Sequence, residues 1–144
     1  MRSPAKLHSG VAAIEFALLL VVLVPIAFGT TELGRAFFQY NTLVKAVRDG
    51  ARVLSSASGG ANLAEARCVT LYGNPLCSGE LLLPKLDEAG LFSAAYDQPR
   101  AAGAVNITVA SVTINGYHFV SLVPYVIPDI TFGPISATMR QGGL

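Results

Sequence analysis

Residues 10–31 read GVAAIEFALLLVVLVPIAFGTT, an almost uninterrupted run of apolar residues near the N-terminus. From residue 11 onward its 21 residues contain one charged side chain, Glu15. A helix of that length is roughly 30 Å long, which equals the thickness of the hydrocarbon core of a bilayer. The stretch therefore predicts a helix that spans a membrane.

Glu15 is the residue in this span that needs a chemical explanation. A charged side chain at the centre of a membrane helix costs on the order of 2.5–3.5 kcal/mol, and less near its end. Val11 lies four residues before Glu15, and Gly10 precedes Val11. If a peptidase cleaved after Gly10, the new amine of Val11 would lie one helical turn from Glu15. The carboxylate could then pair with that amine or with the amine of a neighbouring chain.

The leader before the span indicates the orientation of the chain. Residues 1–9 read MRSPAKLHS and contain Arg2 and Lys6 but no acidic residue. By the positive-inside rule this end stays in the cytoplasm and the C-terminal part is translocated.

Residues 1–29 also fit a second interpretation, a secretory signal peptide. They combine a basic start, an apolar run, the helix-breaking Pro25 and a small-x-small cleavage site ending at Gly29. The position of Glu15 at the start of the apolar run argues against this interpretation, as does the helical pattern that continues beyond the run. Both interpretations remain open from the residues alone.

The segment after the span has the periodicity of an amphipathic helix. Its apolar residues recur at the i, i+3, i+4, i+7 spacing of one buried stripe: Leu33, Phe37, Tyr40, Leu43, Val44, Val47, Ala51 and Leu54. Span and stripe together predict one helix over residues 11–57, on the order of 70 Å long. We expect Pro25, with Gly29 nearby, to kink this helix, and Gly59-Gly60 to end it.

The face opposite the stripe is basic and carries Lys45, Arg48 and Arg52. It has two interpretations: a partner surface for anionic lipid headgroups or acidic neighbours, or an ordinary solvated face. The pattern does not decide between them.

Two cysteines follow the helix. Cys68 lies within a second predicted helix, residues 62–72, and Cys77 lies just after its expected end at Gly73-Asn74-Pro75. Without a CxxC pair and with one downstream histidine, the two thiols do not make a metal site. A disulfide closing this short loop would indicate an oxidising compartment such as the periplasm. Two separate buried thiols are the alternative.

The next part of the chain changes from loop to strand. Residues 79–100 contain Pro84, Gly90 and Pro99 and predict a long connection with one helical turn near residues 84–89. Residues 105–114 alternate between apolar and polar and predict a strand. The alternation changes phase within this strand, which predicts a β-bulge near Ala110-Ser111.

The remaining strands complete an antiparallel sheet. Asn115-Gly116 is a strong hairpin signal and leads into an expected strand over residues 117–123. A third strand over residues 130–138 contains Gly133-Pro134, which predicts an edge or bent strand. The fold class is therefore α+β, with a long N-terminal helix on a small antiparallel sheet of about three strands.

The sequence offers no set of residues for catalysis, for a cofactor or for nucleic acid. His8 lies in the leader, so His118 is the one histidine after it, and it is expected on a strand surface. A catalytic triad or zinc motif cannot be assembled from it. The chain has no phosphate-binding glycine loop, and its net charge of +1 gives no basic surface for nucleic acid. We therefore predict a protein that is not an enzyme, with no metal, cofactor or small-molecule substrate.

These residues resemble a known family. The basic leader, glycine, four apolar residues, Glu15-Phe16 and an apolar run are similar to a type IV prepilin processing site. The whole N-terminal region, about residues 9–54, resembles the TadE-like family, the minor pseudopilins of the tight-adherence (Flp) pilus. The matching features are Glu15-Phe16, Pro25, Gly29, Glu32-Leu33-Gly34-Arg35, Tyr40-Asn41, the run from Ala46 to Arg52, and the tail from Ile135 to Arg140.

The resemblance implies a pilin-like organisation: a leader at 1–10, a transmembrane half-helix at 11–31, an amphipathic half at 32–58 and a periplasmic domain at 59–144. It implies cleavage between Gly10 and Val11 by prepilin peptidase. Glu15, next to Phe16, would set the register with neighbouring subunits. The expected partners are pilin and pseudopilin subunits, the pilus assembly platform and inner-membrane lipid, and the expected roles are pilus biogenesis, adherence and biofilm formation. The alternative is an anchored or secreted periplasmic binding module without an assembly role.

Overall fold

The computed structural model describes residues 9–103 and 105–142 of the 144-residue chain. The basic residues of the leader, Arg2 and Lys6, and His8 lie outside the described part. The elements follow in the order α1 (Ser9–Ser55), α2 (Leu63–Tyr72), β1 (Phe92–Ala102), β2 (Val105–Ile114), β3 (His118–Phe119), β4 (Ile130–Thr131) and β5 (Ile135–Arg140).

Helix α1 contains 47 residues and continues through Pro25, so it is on the order of 70 Å long. The single long helix expected from the sequence is therefore present, and it ends at Ser55, two residues before the expected boundary. From Gly10 to Phe28 every residue is exposed, and none of the most apolar part of α1 is buried against the rest of the chain. This half has the length and composition of a single-pass membrane anchor.

The second half of α1 is packed on the C-terminal domain. Leu43, Val47, Ala51 and Leu54 are buried as the periodicity predicts, and they pack against residues of β2 and β5. The lower members of the predicted stripe are not buried, since Leu33 and Phe37 are exposed. The three-stranded sheet covers α1 only from about residue 43 toward its C-terminus, so only the C-terminal part of the stripe is buried.

Helix α2 crosses α1 at a glycine. A Cβ atom on Gly50 would collide with Oγ1 of Thr70 and would approach the carbonyl oxygen of Ala66 to 3.2 Å. Ala66 and Thr70 are both fully buried, and the Thr70 hydroxyl donates to the Ala66 carbonyl over 2.7 Å. The close approach of the two backbones therefore depends on the missing side chain at Gly50.

The main sheet has the order β1-β2-β5, and all of its pairs are antiparallel. This confirms the α+β class and the sheet of three strands. Strand β1 occupies part of the expected connection at residues 79–100, so that prediction was wrong there. Its side chains are mostly exposed, and it contains Pro99, which is tolerated because β1 is an edge strand. An edge strand with few buried residues lacks the alternation by which β2 was found.

The predicted β-bulge is present on the partner strand rather than on β2. The register of β1 and β2 shifts between Ala95 and Gln98, opposite Ala110. Asp97, inside the shift, has a positive φ of 51°. The alternation of β2 breaks at Val109 and Ala110, which are both buried, and this break lies opposite the extra residue in β1.

Asn115-Gly116 does not form the expected hairpin, because β2 pairs with β1 and β5 instead of with the next segment. The expected strand over residues 117–123 is reduced to β3, which pairs with β4 in a separate two-stranded ribbon. The third expected strand is divided into β4 and β5 around Gly133-Pro134, and β5 is an edge strand as predicted. The hairpin of the main sheet instead joins β1 to β2, and its turn contains Gly103, whose φ is 65°.

We expect Gly50→Ala to lower the free energy of unfolding by about 1–3 kcal/mol, because the added methyl overpacks the helix crossing. Gly34→Ala is the matched control, since Gly34 lies in the same helix and a Cβ there meets no atom within 4 Å. That change should be neutral or should stabilise by up to about 1 kcal/mol. Thermal unfolding of the full chain in detergent, followed by circular dichroism, measures both. Equal effects of the two changes would contradict the proposed packing at Gly50.

Candidate functional site

The first part of the site is the exposed start of α1. Gly10, Val11, Glu15 and Phe16 all lie on α1 and are all exposed. Val11 and Glu15 are four residues apart in the helix, so they share one face. Among the described residues Glu15 has no ion-pair partner. Its exposed carboxylate is therefore accessible to a group from outside the described part of the chain.

The end of the apolar half contains internal hydrogen bonds that suit a membrane environment. The hydroxyl of Thr30 donates to the carbonyl of Ala27 over 2.9 Å, and that of Thr31 to the carbonyl of Phe28 over 2.8 Å. Such bonds back to the same helix satisfy polar side chains where water is scarce. Pro25 lies inside α1 without ending it; the expected kink remains a prediction.

The second part of the site is an ion pair just after the apolar half, with a buried carboxylate and a partly exposed guanidinium. Glu32 is only 4% exposed, and its Oε2 lies 2.9 Å from Nη2 of Arg35. Its other carboxylate oxygen accepts from the backbone N–H of Leu122 over 3.3 Å. The same Nη2 of Arg35 donates to the carbonyl of Val120 over 2.6 Å. The pair therefore fixes residues 120–129, here named the tip loop, against α1.

Aromatic rings enclose the other side of Arg35. Its guanidinium lies 4.6 Å from the ring centroid of Phe119, a cation–π geometry. The Phe132 ring stacks on Phe119 and Tyr117 and meets Tyr40 edge to face. Burial raises the pKa of the Tyr117 phenol, and the nearby Arg35 charge opposes that rise. These rings shield the ion pair from water, which strengthens its electrostatic attraction.

The basic face of α1 stays exposed. Lys45, Arg48 and Arg52 point away from the core, as does Asp49, and none of them forms an ion pair within the described part of the chain. This exposure agrees with a partner surface and with a solvated face, so both interpretations remain.

The two cysteines form a disulfide in the structure, with Cα atoms 4.6 Å apart. The bond joins α2 to the loop that follows its left-handed C-cap at Gly73. His118 is exposed on β3, next to Asp129, as a strand-surface residue. Within residues 9–103 and 105–142 no cluster of His, Cys, Asp and Glu side chains could hold a metal ion.

The clamp made by Glu32 and Arg35 was not identified as a site from the sequence. Both residues were noted only as part of the family resemblance, because their partners in the tip loop lie 85 and 90 positions away. The available signal was the placement of an acidic and a basic residue, three apart, directly after an apolar span.

We expect Glu32→Ala to lower the free energy of unfolding by about 1–3 kcal/mol, because it leaves the Leu122 amide without its acceptor and the Arg35 guanidinium without its counter-ion. Limited proteolysis should then cleave the tip loop faster. Glu88→Ala is the matched control: Glu88 forms an ion pair of the same i,i+3 spacing with Lys85, but the pair is exposed and 3.9 Å long. Its loss should change stability by less than about 0.5 kcal/mol. The clamp is contradicted if both variants behave alike.

Comparison with known proteins finds a family similarity over the helical part of the site. The family model described as TadE-like protein matches residues 10–52. The match includes Gly10, Glu15, Glu32 and Arg35 and stops three residues before the end of α1. No curated protein and no solved structure shows a significant match to the chain. Through nearly the whole of α1 the chain is thus similar to the TadE-like proteins.

Proposed function

We propose that this protein is a minor pseudopilin-like component of a tight-adherence (Flp) pilus assembly system. It is held in the inner membrane by the apolar half of α1, with its N-terminus in the cytoplasm and its C-terminal domain in the periplasm. The observation that supports this most strongly is one continuous helix. Its N-terminal half is exposed and apolar, its C-terminal half packs on a domain, and Glu15 lies one turn after Val11.

The exposed apolar half cannot remain in water. Its large side chains are uncovered over residues 11–28, and each costs about 1.5–3 kcal/mol relative to a buried position. Lipid covers them while the protein is in the membrane, and the same surfaces of neighbouring subunits can cover them in an assembly. A pilin-like subunit needs such a helix, because its apolar side chains contact lipid before assembly and neighbouring subunits afterwards.

Processing after Gly10 supplies an ion-pair partner for Glu15, which has none within residues 9–103 and 105–142. Gly10 is exposed, and a Cβ there would meet no atom within 4 Å, so the Gly10–Val11 bond is accessible to prepilin peptidase. The new amine of Val11 on a neighbouring subunit then pairs with Glu15. In a nonpolar environment such a pair is strongly favoured over either charge alone, so it sets the register between subunits.

The alternative function is an anchored or secreted periplasmic binding module. Its supporting observation is an open groove between α2 and β1, lined by Arg67, Tyr72, Asp87 and Phe92 beside the disulfide. In that case α1 is only a tether or the domain's first helix, and Glu15 has no role in assembly.

The two functions predict different N-terminal residues for protein purified from the membranes of its host. Pseudopilin processing predicts a chain that begins at Val11, which N-terminal sequencing or intact-mass measurement detects. A chain that begins at Thr30 would show signal-peptide cleavage and a secreted domain. An intact Met1 would show a simple anchored protein, and either result would contradict the proposed processing.

Glu15→Ala should leave membrane insertion and cleavage intact but reduce surface piliation by at least about tenfold. The magnitude follows because a lost intramembrane ion pair is worth more than the roughly 1.4 kcal/mol that corresponds to a factor of ten. Glu80→Ala, which removes an exposed carboxylate of the C-terminal domain, is the control and should leave piliation unchanged. Counting pili by electron microscopy measures the effect. Normal piliation of the Glu15→Ala strain would exclude the register role.

A further inference from the structure

The tip loop lies beside the apolar half of α1. A Cβ built on Gly29 would lie 3.4 Å from Cγ1 of Val126, so the loop reaches back past Glu32 to a residue within the predicted span. The loop and the last turn of the span therefore lie at the same level along the helix axis.

The surface of the tip loop is apolar and largely uncovered. Tyr125 is fully exposed, Leu122 is 74% exposed, and Val120 and Val126 are exposed as well. Residues 120–128 read VSLVPYVIP and contain no charged side chain. Four exposed apolar side chains on one nine-residue loop are unusual for a surface in contact with water.

Most backbone N–H groups of the tip loop are hydrogen-bonded within the chain, which favours a position away from water. The amide of Ser121 donates to Asp129 over 2.8 Å, and that of Val123 to the Ser121 hydroxyl over 3.1 Å. The amides of Val126 and Ile127 both donate to the carbonyl of Val123.

The other backbone positions of the loop follow the same pattern. The Leu122 amide donates to Glu32, and the prolines at positions 124 and 128 have no N–H to satisfy. Within residues 121–128, Tyr125 is then the one amide donor without a partner in the described part of the chain. Because each unsatisfied backbone group is costly in lipid, bonded donors lower the cost of placing this loop at the edge of a bilayer.

We propose that the tip loop inserts into the bilayer that holds α1, at the interface on the C-terminal side of the span, with Leu122, Tyr125 and Val126 among the lipids. The proposal rests on the membrane anchoring under Proposed function. Tyrosine suits this position because its ring is apolar and its hydroxyl can remain at the headgroup level. The ion pair of Glu32 and Arg35 fixes the loop to α1, so helix and loop enter the membrane as one unit. Two points of contact then set the depth and rotation of the domain, which a single helix leaves free.

The chain contains no tryptophan, so single-tryptophan variants of the full chain report membrane depth directly. Tyr125→Trp and, independently, Leu122→Trp probe the tip loop at exposed positions that tolerate a larger ring. Phe28→Trp probes the span itself. Val105→Trp is the control for the far end of the domain, near the end of α1 at Ser55, which lies 26 residues or roughly 40 Å beyond Gly29.

Each variant is placed in nanodiscs that hold one chain each, made with lipids brominated at a shallow acyl position or with unbrominated lipids. We expect bromine to quench Phe28→Trp, Tyr125→Trp and Leu122→Trp to comparable extents, with emission at shorter wavelength than in a water-exposed tryptophan. Val105→Trp should be unaffected.

The other outcomes separate this proposal from the anchoring on which it rests. Quenching of Phe28→Trp without quenching at residues 122 and 125 would overturn lipid insertion of the loop and leave the anchor standing. If the two loop tryptophans instead shift to shorter wavelength only when several chains share a bilayer, the loop contacts another subunit and the lipid proposal is wrong. No quenching of Phe28→Trp would overturn the membrane anchor itself.

Discussion

The ion pair between Glu32 and Arg35 determines where the tip loop lies along α1. It lies where the apolar half of α1 ends, and it joins the helix to the tip loop through Leu122 and Val120. The pair is favourable because the buried carboxylate of Glu32 accepts one charge-assisted hydrogen bond from Arg35 and a second bond from the Leu122 amide. Removing Arg35 would leave the Glu32 carboxylate buried without a counter-ion, which is costly.

The pair also divides α1 into two environments. Below it the side chains contact almost nothing of their own chain, and above residue 43 they form the core with α2 and the sheet. Between these halves Leu33 and Phe37 are exposed although they follow the amphipathic pattern. Because burial of apolar surface is favourable, this short exposed segment is suited to pack against a neighbouring subunit, in agreement with the proposed assembly role.

Patterns that depend on neighbours in sequence were sufficient to predict α1, α2, β2 and the break before β5. Strand β1 was missed because Asp97 and Pro99 resemble loop residues, and only its pairing with β2 makes it a strand. The hairpin was misplaced because β2 found both of its partners elsewhere in the sequence. For the site, Gly10, Val11 and Glu15 are close in sequence and were recognisable, whereas the tip loop depends on contacts across 85 and 90 positions.

Two carboxylates of α1 differ in their surroundings, and this difference supports different roles for them. Glu32 has both oxygens occupied within its own chain, so it stabilises the subunit and is not free to bind another. Glu15 is exposed on an apolar surface without an ion-pair partner among the described residues. A carboxylate in lipid must find a positive charge or remain costly, so Glu15 favours an encounter with another chain. Under the proposed function, the stability of the subunit and its capacity to assemble are carried by different residues of one helix.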